Sequence, residues 1–194
     1  MYPDKPWIIG IDPGTDESAY AICDEHLKPL AFEKLPNEQL AHDLFTNVID
    51  LWDGMYGNEP VSVEQESLLF FKNIHLAIEM VASYGMPVGA EVFETCVWIG
   101  KFEHCLSCFE NHKRIYRKDE KLTICHSPKA NDSTIRQALT DRFAYGVSNF
   151  GKGTKKEPGW FYGFKNDVWQ AYAIAVTYHD MYIKQFDACF DRNE

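Results

Sequence analysis

The stretch Trp7–Ile22, WIIGIDPGTDESAYAI, decides how the chain is read. An apolar run stops on Asp12, turns through Pro13-Gly14-Thr15, and resumes as a second apolar run. An aspartate closing a buried strand is costly unless something meets its charge. A metal ion, a phosphate-bearing ligand held through a metal, and plain turn chemistry all satisfy that requirement. Working outward, Ile8–Asp12, Ser18–Cys23 and Pro29–Lys34 read as three short strands. Their connections are tight, which predicts an antiparallel meander.

Leu40, Leu44, Phe45, Val48, Ile49 and Trp52 then recur at helical spacing. Pro60–Glu64 reads as a fourth strand that again ends on an acid. From Lys72 to about Phe109 the pattern is helical, with a break expected at Gly85-Met86-Pro87. Ile115–Tyr116 and Leu122–Cys125 read as extended. Asn131 or Asp132 caps a helix through Phe143, and a last helix runs from about Asp167 to Ile183. Strands in a meander followed by alternating helices and strands predict an α/β domain with a mixed sheet flanked by helices. A chain of 194 residues is most simply one domain, 1–194, with a basic aromatic loop at about 148–165.

The formal net charge of −10 argues against a broad surface for polyanions and leaves room only for a local one. Two basic clusters qualify: His112–Lys121 and Gly151–Lys165. The second sets Lys152, Lys155, Lys156 and Lys165 among Trp160, Phe161, Tyr162 and Phe164, a mixture suited to unpaired or distorted nucleic acid. Packing of those rings on the core is the structural alternative. No apolar run is long enough to span a membrane, and the N-terminus has no signal-peptide pattern, so a cytoplasmic location is expected. The six cysteines read as free thiols of a reducing compartment. Cys105 and Cys108 have zinc-knuckle spacing, with Cys125 and His126 as further ligands, but no second C-x-x-C exists and buried thiols are the expectation.

The acids carry the chemistry. If the strands ending on Asp12 and Glu64 are neighbours, their carboxylates converge, and a divalent cation relieves the repulsion. Asp167 opens a helix containing Ala171, Ala173 and Ala175, small enough to approach a sheet closely. A first-turn acid favourable to the helix dipole is the alternative for Asp167.

In order and approximate spacing, IIGIDPGT, VSVEQ and NDVWQAYAIAVTY resemble the motifs of the RuvC-type Holliday junction resolvases, a divergent phage or bacterial branch. SPKANDSTIRQAL is similar to that family's penultimate helix. The resemblance implies a ribonuclease H-like fold and a homodimer that cleaves four-way DNA junctions for recombination and repair. It implies two Mg2+ ions per site, with Mn2+ as a substitute. It assigns Asp12, Glu64 and Asp167 as catalytic metal ligands. Gln170 stands where the family has a fourth acid, and Asp132 where it has a lysine; Gln170 or Asp132 would complete the metal set, and Lys129 and Arg136 would serve in the lysine's place. Lys129, Arg136, Lys152, Lys155, Lys156, Trp160 and Lys165 are the expected DNA contacts. Two other classes remain open: a branched-DNA binder without cleavage, because Gln170 replaces an acid, and an actin-like ATPase or sugar kinase, whose first phosphate loop IGIDPGT also resembles. The latter needs a second domain and an adenosine motif that this chain lacks.

Overall fold

The computed structural model describes residues 6–56, 70–83, 85 and 87–184. Its sheet has five strands in the order β3-β2-β1-β4-β5. β1 (Trp7–Asp12), β2 (Glu17–Cys23) and β3 (Pro29–Pro36) form the expected antiparallel meander. β4 (Ile74–Met80) and β5 (Asn111–Tyr116) extend it in parallel, with Ile11 opposite Ile78. Parallel pairing requires a crossover between strands. α1 (Asn37–Tyr56) lies in the passage from β3 to β4, and α2 (Ala90–Cys105) joins β4 to β5. α3 (Arg117–Cys125), α4 (Asp132–Phe143) and α5 (Val168–Tyr178) follow β5. A π-helical turn, His179–Ile183, closes the described chain.

Strand alternation sorts the core into two layers. Trp7, Ile9, Ile11, Tyr20, Ile22, Ile74, Leu76 and Ile78 pack with Leu40, Leu44, Val48 and Trp52 of α1 and with Ile99 and Phe102 of α2. Ile8, Ala19, Ala21, Cys23 and Ala77 face the other way, against α5. Small residues dominate that second face, and Gly10 is its extreme case. A Cβ on Gly10 would lie 2.1 Å from the Ala171 carbonyl oxygen and 2.9 Å from the Ala175 nitrogen. α5 therefore rests directly on the β1 backbone.

The Pro13-Gly14-Thr15 turn is held by Asn37, which is buried at the start of α1. Its Nδ2 donates to the carbonyls of Gly14 and Thr15, each at 3.0 Å, and its Oδ1 accepts from Ser18 Oγ at 2.5 Å. Ser18 Oγ in turn accepts from Gly14 N–H at 3.1 Å. The turn has its own polar network, so Asp12 is not consumed as a turn residue.

Three expectations need correction. Residues 74–80 form a strand, not part of a helix, because the parallel ladder between β1 and β5 takes up a short segment whose buried Ile74, Leu76, Ala77 and Ile78 leave periodicity ambiguous. Leu122–Cys125 is helical, the end of α3, which stops where His126 adopts φ 53° and ψ 27°. The place beside β1 expected for Pro60–Glu64 is taken by β4. Glu64 itself lies outside the described residues.

Candidate active site

The register that sets Ile11 opposite Ile78 brings the next pair, Asp12 and Glu79, to adjacent strand ends on the α5 face. Their carboxyl groups share a hydrogen bond. Burial first, then the charge of Glu79, pushes Asp12 up to about 9. Burial raises Glu79 as well. Two adjacent buried carboxyls cannot both stay ionised, so the pair holds a proton that a cation could replace.

α5 supplies the third acid through its seating on Gly10. Asp167, Ala171 and Ala175 are spaced by four and share a helix face. Contact of Ala171 and Ala175 with Gly10 sets Asp167 near Asp12, close enough to add to the upward push on its carboxyl. Asp167 makes no side-chain cap. Lys34 Nζ of β3 pairs with it at 2.8 Å and also reaches Glu17 at 3.2 Å.

A fourth acid comes from α3. Glu120 has no exposed surface, and its two oxygens accept from Arg117 at 2.8 and 2.7 Å. Gln170 Nε2 donates to Glu120 at 2.5 Å and also hydrogen-bonds Glu79. Burial drives Glu120 up to about 7 against the restraining charge of Arg117. Arg117 also pairs with Asp132, whose side chain stands in solvent at the rim. Asp12, Glu79, Arg117, Asp132, Asp167 and Gln170 all line one cavity of about 690 Å³.

No protein-family model matches this chain, and no curated protein sequence matches it. Solved structures do. RuvC of Thermus thermophilus superposes with a TM-score of 0.56 at 14% identity, covering 93% of this chain and 96% of that one. The T. thermophilus RuvC structure in complex with a Holliday junction substrate gives 0.52 at 13%, covering 90% and 93%. The fold is RuvC-like. Identity this low carries the mixed sheet and its helices, and leaves the chemistry to the residues themselves.

Those residues fit a hard divalent cation in kind, since carboxylate oxygens are the donors Mg2+ prefers. Among the described residues no three Asp, Glu, His or Cys side chains form a ready cage; Lys34 pairs with Asp167, and Arg117 with Glu120. The Asp12–Glu79 pair is the best-suited seat. Asp132 is bound to Arg117 at the rim, and Gln170 turns its amide nitrogen toward acids, not toward a cation.

The RuvC-like sheet also places the other predicted residues. Trp160 stacks on Phe143 at 5.4 Å and donates to Tyr172 Oη at 3.0 Å, while Phe161 and Phe164 are fully buried. The rings of that loop pack on the core, apart from Tyr162, which is exposed. Lys129, Lys155, Lys156 and Lys165 are exposed, and Lys152 and Arg136 partly so. In the other basic cluster, Arg114 is tied to Glu103 at 2.7 and 2.6 Å. Cys23 is buried, but the thiols of the 96–125 cluster are less buried than expected. Cys105 is exposed, and Cys108 and Cys125 pack into the layers on opposite faces of the sheet, which separates the suggested zinc ligands.

Sequence patterns do not single out Glu79, Glu120, Arg117 or Lys34 as site residues. LAIEM, Leu76–Met80, has the same form as IIGID, an apolar run closed by an acid, and that signal could have found Glu79. Nothing in the local sequence marks Glu120 or Lys34.

Proposed function

We propose that this protein is a divalent-cation-dependent endonuclease that cleaves branched DNA, with four-way junctions as substrate and a homodimer as the working unit. The observation that carries the reading is the hydrogen-bonded Asp12–Glu79 pair at adjacent parallel strand ends, with Asp167 set nearby by the packing of α5 on Gly10. Two RuvC structures sharing this fold support it, one of them in complex with a Holliday junction substrate.

Asp12 and Glu79 would hold the cation, giving up their shared proton, with Asp167 joining when Lys34 releases it. When bound, a divalent cation supplies activation of water and charge neutralisation for in-line attack on a phosphodiester. Gln170 links Glu79 to Glu120 without adding a negative charge, and Glu120 keeps Arg117 beside the acids. Lys34 is then free to face a phosphate once its bond to Asp167 is exchanged. Lys152, Lys155, Lys156, Lys165 and Lys129 would track the flanking backbone. Dimerisation fits α2, whose Phe93 and Val97, one turn apart, are 61% and 54% exposed.

A binder without cleavage is the second reading, favoured by the Lys34–Asp167 pair and by Gln170 in an acid's place. One assay separates the two. A four-way junction is incubated with the protein, with and without Mg2+, and strand nicking is followed beside binding. The nuclease reading expects paired nicks only with Mg2+, lost in Asp12→Asn and reduced at least about 100-fold in Glu79→Gln, with junction binding kept by both. Binding with no nicks in Mg2+ or Mn2+ would leave the binder.

A further inference from the structure

Arg136 of α4 is held unlike Arg117, the other arginine that lines the cavity, and unlike Arg142 of the same helix. Arg117 and Arg142 each clasp a carboxylate, Glu120 and Asp180 respectively. Arg136 instead lies between two rings. Its guanidinium carbon is 4.2 Å from the Phe150 centroid and 4.9 Å from that of Trp169. Its Nε is buried and, among the described residues, has no hydrogen-bond partner. With Nε shielded in this way, the two terminal nitrogens are the part of the guanidinium left for a ligand's acceptors.

The ring above Arg136 is itself held in a costly conformation. Phe150 and the preceding Asn149 have φ of 54° and 53°, a region bulky side chains rarely enter. Backbone bonds from Gly151 N–H to the Val147 carbonyl and from Lys152 N–H to the Asn149 carbonyl keep that turn closed. Phe150 is half exposed, so one side of the Arg136 sandwich opens to solvent. Arg136, Phe150 and Trp169 line the same cavity as Asp12, Glu79 and Asp167. Burial, then the charges of Arg136 and Lys165, pulls Lys152 down, so these two lysines stand near Arg136.

We infer that Arg136 is a pre-oriented clamp for one backbone phosphate of a DNA strand lying in the cavity, beside the bond that Asp12 and Glu79 address. A phosphodiester carries two non-bridging oxygens, which the two terminal nitrogens of a planar guanidinium can meet together. The rings hold that plane fixed and strip water from its faces, so little ordering remains for binding. A lysine in the same place offers a point charge and no fork. This inference rests on the branched-DNA reading above and assigns one phosphate partner within it.

The test measures binding of a four-way junction in EDTA, where no cleavage intrudes, by wild type, Arg136→Ala, Arg136→Lys and Phe150→Ala. A second series uses junctions carrying a single neutral methylphosphonate at each phosphate around the nick site. We expect Arg136→Ala to weaken binding about 10- to 50-fold, Arg136→Lys to recover little of it, and Phe150→Ala to lose less. At one phosphate, the methylphosphonate should weaken wild type as much as Arg136→Ala does and add nothing in that variant. This second arm uses the wild-type protein, so it does not depend on how a variant folds. Wild-type affinity in Arg136→Ala, or losses that multiply at every phosphate, would overturn the clamp alone. No binding of any branched DNA by wild type would overturn the nuclease and binder readings, and the clamp with them. Equal competition by millimolar inorganic phosphate and by the junction strand would assign the site to a free anion and overturn the strand-phosphate assignment.

Discussion

Asp12 sits where burial and a neighbouring acid both oppose its charge, and its carboxyl is raised from 3.8 to about 9. The sign of the effect on stability follows directly. An unfolded Asp12 ionises near pH 4, while the folded one keeps its proton until about pH 9. Metal-free stability should therefore fall as pH rises across that window. Asp12→Asn removes the titration, so its unfolding midpoint in EDTA should exceed wild type at about pH 8 and converge with it near pH 4. Mg2+ should raise the wild-type midpoint at about pH 8 and leave Asp12→Asn almost unmoved, as thermal unfolding with and without the ion will show. A wild-type midpoint that climbs with pH in EDTA would contradict the buried, proton-sharing pair.

At the scale of elements, the contact between α5 and β1 positions the site. Gly10→Ala drives a methyl group into the Ala171 carbonyl, a backbone atom that cannot step aside. We expect a loss of about 1–3 kcal/mol in stability by denaturant unfolding, since overpacking against backbone forces the helix outward. Cleavage should fall further than stability accounts for, because the same movement carries Asp167 away from Asp12. The 148–165 loop makes the opposite case. Its rings are committed to the core, so its lysines can change without loosening the fold. Lys152, Lys155 and Lys156 changed together to alanine should keep the wild-type unfolding midpoint. Junction binding should weaken, and the slope of log K against log salt should shrink by about one for each lysine that meets a phosphate in the wild type. An unchanged slope would move the DNA-binding surface elsewhere.

For the whole molecule, the exposed faces of the two outer elements differ. β5, at the sheet edge, exposes Lys113 and Arg114, charges that block strand-to-strand pairing with another chain. α2 exposes Phe93 and Val97, apolar groups that a lone protein seldom shows side by side. Phe93→Glu with Val97→Glu should leave a folded monomer by light scattering if α2 is the dimer face, and should uncouple the paired nicks into single ones. A wild type that is monomeric at micromolar concentration would remove the homodimer from the reading. No helix among the described residues is long and apolar enough to cross a membrane.

Residues close in sequence make much of this molecule legible. The meander, the capped helix from Asp132 and the last helix all follow from local alternation, turn residues and the Asn131 cap, whose Oδ1 accepts from Thr134 N–H at 3.0 Å. Asp12 and Asp167 stand out because each closes or opens an element with an unmistakable local pattern. The partner of Asp12 is another matter. VSVEQ and LAIEM are both short apolar runs closed by an acid. Which of them lies beside β1 is settled by the parallel ladder, which joins residues as distant in the chain as Ile8 and His75. Glu120, Arg117 and Lys34 come to the acids from outside β1, β4 and α5, and no spacing rule links them to Asp12. The inward turn of Trp160, Phe161 and Phe164 is likewise decided by the room left between α4 and α5. Local sequence determined the meander, α1, α4 and α5, because turns, caps and apolar spacing depend on neighbours within a few residues, whereas the strand at 74–80 and the helix at 122–125 came from the tertiary packing. Only the folded chain decided which charges meet, because charge pairing depends on distance in space.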